Sequence, residues 1–208
     1  MMFPAAIVSV GALKVEFLQG FNSTPTSATS HTISSVAIGS ANHRRYILVA
    51  TFGTADSCTI GGVSASAVDA GAFFWMANVP DGTTADIVIT RASSARRVAA
   101  VYSLVGLKAT IATDDVDASG AGATNSPSIN VLSHGVVFGF AYLSYLGNPY
   151  DITWGGLDSD YITDIDFGST IYRMNFAHAI STTEQSPMNL TLTESVPVTP
   201  MARLVSLR

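Results

Sequence analysis

The side chains best suited to chemistry in this sequence are its aspartates, and they come in two clusters. Asp114, Asp115 and Asp117 form one, and Asp158, Asp160, Asp164 and Asp166 the other. Oxygen-rich loops of this kind can hold calcium, and a facing pair of carboxylates can hydrolyse a glycosidic bond. Neither cluster has the spacing of an EF-hand loop, which needs a central glycine and a closing glutamate. Spacing alone also cannot place two carboxylates across a cleft. The plainer reading is a solvated acidic rim. The histidines, His31, His43, His134 and His178, never fall at i, i+2 or i, i+4, so no local metal motif forms. His178 continues the apolar face of a strand, which points to the end of a core. The single cysteine, Cys58, lies in an apolar run and reads as a buried thiol. Nothing matches a nucleophile elbow, a dinucleotide fingerprint or a phosphate loop. These residues predict no enzyme, no cofactor and no bound metal.

Aromatic side chains are the other candidates, because a flat ring can stack on the apolar face of a sugar. Tyr142, Tyr145 and Tyr150 surround a Gly147-Asn148-Pro149 turn. Tyr145, Asn148 and Tyr150 are therefore the candidate contact residues, at a loop tip where binding commonly resides. Trp154 and Trp75 read as core.

The elements that must carry these residues are strands. Ala85, Ile87 and Ile89 alternate with Asp86, Val88 and Thr90, and similar alternation marks 172–180 and 188–193. Such segments bury one face. Tyr46–Phe52, Val98–Val105 and Gly135–Leu143 are apolar on both faces and read as central strands. Turn signals at Gly61-Gly62, Pro80-Asp81-Gly82 and Gly147-Asn148-Pro149 separate them.

The pattern occurs twice. Cys58-Thr59-Ile60-Gly61-Gly62 is echoed by Ile152-Thr153-Trp154-Gly155-Gly156, and Val101-Tyr102-Ser103-Leu104 by Leu204-Val205-Ser206-Leu207. Ordered echoes imply a structural duplication, with halves at 32–107 and 128–208. In this alignment the Tyr46 strand matches Val136–Phe140, and Met76 matches Met174. A linker at 119–127 and an N-terminal strand at 12–19 fall outside the repeat, the latter completing a sheet edge or pairing with a neighbouring subunit. The fold expected is all-β, an antiparallel β-sandwich of jelly-roll type built from two related halves in one domain. Two small tandem β domains are the alternative.

Composition narrows the partners. The chain of 208 residues is 48% hydrophobic and only 12% charged, with net charge −5, against about 25% charged for an average domain. Few charges are left to coat a free surface, which suits an assembly component or a domain with an unusually large core. Arg44-Arg45 and Arg96-Arg97 are the only basic pairs, so nucleic acid is not an expected partner. No apolar run reaches the ~18 residues of a membrane helix, so no membrane insertion is expected.

Thr32–Gly39, Arg45–Val49, Thr59–Ala65 and Val79–Ile89 together resemble a widespread group of bacteriophage and prophage β-sandwich proteins encoded among virion structural genes. The resemblance is strongest over 32–107 and looser in the second half. It implies a non-enzymatic virion component on the particle surface: a head decoration (cement) or fibre protein, or part of a tail fibre or tail tip. The expected partners are other virion proteins and further copies of the chain, a trimer being favoured. The alternative is a lectin-like adhesin that binds carbohydrate for host receptor recognition.

Overall fold

The computed structural model describes residues 12–24, 26–119, 124–146, 150–195 and 200–208. All its regular structure is β, and every strand pairing in it is antiparallel. The first half contains β1 (Lys14–Asn22), β2 (Ala28–Ala37), β3 (Arg45–Thr51), β4 (Ser57–Ile60), β5 (Val63–Ser64), β6 (Ser66–Ala67), β7 (Phe74–Asn78), β8 (Thr84–Ala95) and β9 (Val98–Val105). The second contains β10 (Asp114–Asp117), β11 (Thr124–Asn125), β12 (Ser128–Val131), β13 (Gly135–Tyr145), β14 (Ile152–Gly155), β15 (Asp158–Asp166), β16 (Ile171–Ser181), β17 (Gln185–Asn189), β18 (Thr191–Glu194) and β19 (Met201–Leu207).

These strands make four layers. An outer sheet of order β2-β8-β4-β5 covers an inner sheet of order β1-β9-β3-β7-β6. The second inner sheet, β10-β19-β13-β16-β15, faces the first, and β12-β17 with β11-β18-β14 cover its far side. Alternation along the inner strands explains the arrangement. In β3, Ile47 and Val49 point into the first half's own core, while Leu48 and Ala50 point into the core shared with the second half. In β13, Val137 and Ala141 point to the second half's own core, while Val136, Phe138 and Phe140 point to the shared one. Strands covered on both sides need apolar residues on both faces, which is why 46–52, 98–105 and 136–143 lack a polar face.

The ladders fix the duplication residue by residue. Ile47 faces Ser103 in one inner sheet and Val137 faces Ser206 in the other. Leu48 faces Met76, whereas its equivalent Phe138 faces His178. Met76 therefore corresponds to His178, four residues beyond the Met174 expected from the sequence. Both residues lie on the same face, so period-two patterning could not tell them apart. By the same register Trp75 corresponds to Ala177, and Phe74 to Phe176.

Two further corrections follow from pairing. The first strand runs from Lys14 to Asn22 and has a counterpart. It borders β9 just as β10 borders β19. The chain thus crosses between halves at 106–113. The segment 119–127, of which 120–123 lie outside the described residues, is internal to the second half. Residues 1–11 also lie outside the described residues.

Candidate functional site

The second half is longer at one end. Where β3 ends at Thr51, its equivalent β13 continues from Ala141 to Tyr145. Where β7 begins at Phe74, β16 begins five residues before the equivalent Phe176, at Ile171, and pairs with β15 as far as Asp166. This extension has no counterpart in the first half. It carries Tyr142, Tyr145, Asp164 and Asp166, singled out above, together with Phe167, Tyr172 and Arg173.

One face of the extension is aromatic. Phe52, from the first half, packs against Tyr142 at 4.9 Å between ring centroids and against Tyr172 at 5.6 Å. Phe167 lies 5.4 Å from Tyr172, and the Arg96 guanidinium sits 5.5 Å over the Phe167 ring. On the other face, Tyr145 is buried in the second half's own core, with Tyr150 half-buried at 5.9 Å from it. Burial, with the neighbouring Asp164 carboxylate to which its hydroxyl bonds, pushes the Tyr145 hydroxyl above the usual tyrosine range. Arg173 binds that same carboxylate through Nε at 2.9 Å and reaches Asp151 at 2.9 Å. Ser144, Tyr145, Leu146, Tyr150 and Thr170 line a hollow of about 360 Å³. Of the expected contact residues, Tyr150 is partly open, Tyr145 is core with one face toward the hollow, and Asn148 lies outside the described residues.

The aspartates do not converge. Asp114 accepts hydrogen bonds from the backbone and side-chain nitrogens of Asn130. Asp115 accepts one from the Ala70 backbone, joining the two halves, and Asp117 pairs with Arg203 at 3.0 Å. The Ser119 hydroxyl and backbone N–H hold the Asp117 carboxyl below the usual range, with Arg203 adding to the effect. Among the described residues, no three His, Cys, Asp or Glu side chains gather where a metal ion could sit.

Asp160 makes a contact between the halves that sequence reasoning missed outright. It lies 2.8 Å from Nδ1 of His178 and accepts a hydrogen bond from the Tyr102 hydroxyl at 3.1 Å. Burial first, and then Asp160, push the Tyr102 hydroxyl well above the ordinary tyrosine value. The His178 ring stacks on Phe138 in the shared core. This Tyr–Asp–His group ties the first half to the second and resembles the orienting part of a catalytic triad. No serine, threonine or cysteine among the described residues is hydrogen-bonded to His178, so the group reads as a polar rivet in an apolar seam. Buried polar atoms require such partners. Sequence could not find it, because Tyr102 and Asp160 stand in different halves.

Arg45 and Arg97 are also fully buried. Arg45 donates to the carbonyls of Val79, Ile38, Gly39, Ser40, Asp81 and Gly82, and Arg97 to those of Phe52, Gly53 and Thr54. Burial lowers the pKa of both, opposed by Asp81 at Arg45; at Arg97 the nearby Arg91 lowers it further, against Asp56. Each clamps the loops at one end of the first sandwich through backbone carbonyls. No family model, curated protein or solved structure matches the chain.

Proposed function

We propose that this chain is a non-enzymatic structural protein of a bacteriophage virion, exposed on the particle surface as a head decoration or fibre protein or as part of a tail fibre or tail tip. The strand order carries the reading. In the first half, β1-β9-β3-β7 faces β2-β8-β4-β5, and the chain passes from one sheet to the other at each step except within the β4–β5 and β6–β7 pairs. We read this as an eight-stranded jelly roll, and β10-β19-β13-β16 with its covering strands as a second one. Jelly rolls commonly build viral capsids and lectins.

Because a fold hosts many functions, the side-chain chemistry matters as much. Asp115, Asp160 and His178 are engaged at the seam between the two sandwiches, and the buried arginines close loops of the first. What remains open is a loop end rich in aromatics, suited to contact. The low charge of the chain and the sequence resemblance of 32–107 both favour assembly into a homo-oligomer, which we take to be a trimer.

Antibody labelling of purified particles, with copy number by quantitative mass spectrometry, tests the proposal. Regular labelling at a fixed position is the expected result and also separates head from tail. Absence from purified particles, together with a monodisperse monomer at high concentration, would sink it.

A further inference from the structure

We infer that the hollow between Tyr145 and Tyr150 is a binding site for a neutral saccharide unit. This rests on the reading above that this aromatic loop end is the part of the molecule left open for contact. The hollow sits on the one strand extension that the duplication does not explain, so packing of the scaffold does not require it. Its volume, about 360 Å³, is at the small end of the ~300–1,000 Å³ of small-molecule sites. That suits one or two sugar rings better than a protein surface.

The lining supplies what a pyranose needs. The Tyr145 and Tyr150 rings are 5.9 Å apart and inclined at 54°, so buried Tyr145 backs the half-buried Tyr150 ring, which is the one that can meet sugar C–H groups. Ser144 and Thr170 line the same hollow with hydroxyls that can exchange hydrogen bonds with sugar hydroxyls. Tyr145 is preorganised: its ring is buried and its hydroxyl is engaged by Asp164, itself gripped by Arg173. A ring held before the ligand arrives loses little entropy on binding.

Among the described residues the lining carries no charge, and that sets the ligand class. Ser144, Tyr145, Leu146, Tyr150 and Thr170 are all neutral. The Arg173 guanidinium is committed to Asp164 and Asp151. An anionic sugar would find no partner there, and a neutral hexose needs none.

Saturation-transfer NMR on the full chain, with a panel of neutral hexoses and their disaccharides, tests this. A uronic acid, a sialic acid and a proline-rich peptide serve as competitors from other classes. The expected result is transfer to at least one neutral sugar, reduced tenfold or more by Tyr150→Ala and kept by Tyr150→Phe. Phe167→Ser, on the opposite face, should leave it unchanged. No transfer from any neutral sugar, a signal indifferent to Tyr150→Ala in a variant with native circular dichroism, or preference for the acidic sugars or the peptide would each overturn the site. Incorporation of Tyr150→Ala into particles is scored separately. Normal incorporation without sugar binding removes the saccharide site alone, and failure of the wild-type chain to incorporate removes the virion reading alone.

Discussion

The two sandwiches share a strand order but solve the same local problems with different residues. At the start of the third inner strand, the first half has Arg45, a buried cation that gathers six loop carbonyls. The second half has Gly135 there, where an added Cβ would lie 2.8 Å from the carbonyl oxygens of both Leu132 and Leu207. One half fastens its loops with a side chain, and the other draws backbone against backbone. Farther along, Met76 fills the shared core in one half while His178 brings a ring and a charge partner in the other. The first outer sheet is built on one twelve-residue strand, β8, but its counterpart is broken at Leu190 into β17 and β18. Strand order has outlasted the particular contacts that hold it. The extra length of the second half packs Tyr142 and Tyr172 against the edge of the shared core, on Phe52.

The comparison can be broken most sharply at what the halves have in common. Phe140 touches Phe52 and Phe73 of the first half and Phe176 of the second. Phe140→Ala should lower unfolding free energy by roughly 3–5 kcal/mol. Urea unfolding should show loss in both sandwiches together rather than in the second alone. Arg45→Met leaves a ring of carbonyls without donors, and a loss of roughly 2–4 kcal/mol is expected by the same measurement. Gly135→Ala should cost about 1–3 kcal/mol, because the obstructing atoms are backbone and cannot swing aside. Full tolerance of both substitutions would show that neither contact fastens its half.

Alkaline pH separates the halves in another way. Burial pushes the Cys58 thiol up to about 12 from its ordinary 9, whereas its counterpart in the second half is Ile152. Since the folded state resists ionisation, the stabilisation is complete below pH 9 and is lost as pH rises from 9 towards 12. The change amounts to roughly 4 kcal/mol at most. Cys58→Val should flatten that fall, leaving the part due to Tyr102, whose raised value acts in the same direction above pH 10. A thiol reagent should label Cys58 only on unfolding. The smallest effect is expected at Arg173→Met, about 1 kcal/mol or less, because Asp151 and Asp164 are both solvent-accessible. A larger loss would mean that Arg173 holds up the whole extension rather than orienting Tyr145.

The fold was more legible in the sequence than the site. Two-faced apolar runs such as 46–52 announced inner strands, and Trp154, matched to Ile60 through the paired glycines, lies in the core as that match requires. Gly61, Gly62 and Gly156 all have positive φ, so their recurrence marked real turns. Misreadings arose where the signal was weak or non-local. Asp114–Asp117 is a strand too short and too acidic to show alternation. The four-residue slip at Met174 kept every residue on its proper face. The Tyr102–Asp160 contact joins positions 58 apart in sequence, which no pattern within either half encodes.

The seam between the inner sheets also bears on how the chain is made. The first half can complete its own core once β9 has been synthesised, yet its inner face, with Leu48, Phe74 and Tyr102, has nothing to cover it until β13, β16 and β19 arrive. About a hundred residues separate β9 from the end of β19, and ribosomes add roughly 5–20 residues per second. A broad apolar sheet is therefore bare for some 5–20 s during every round of synthesis. Over that interval, pairing with another nascent first half competes with pairing to the chain's own second half. Faster elongation, or a chaperone that shields flat sheets, should raise the yield of correctly closed protein.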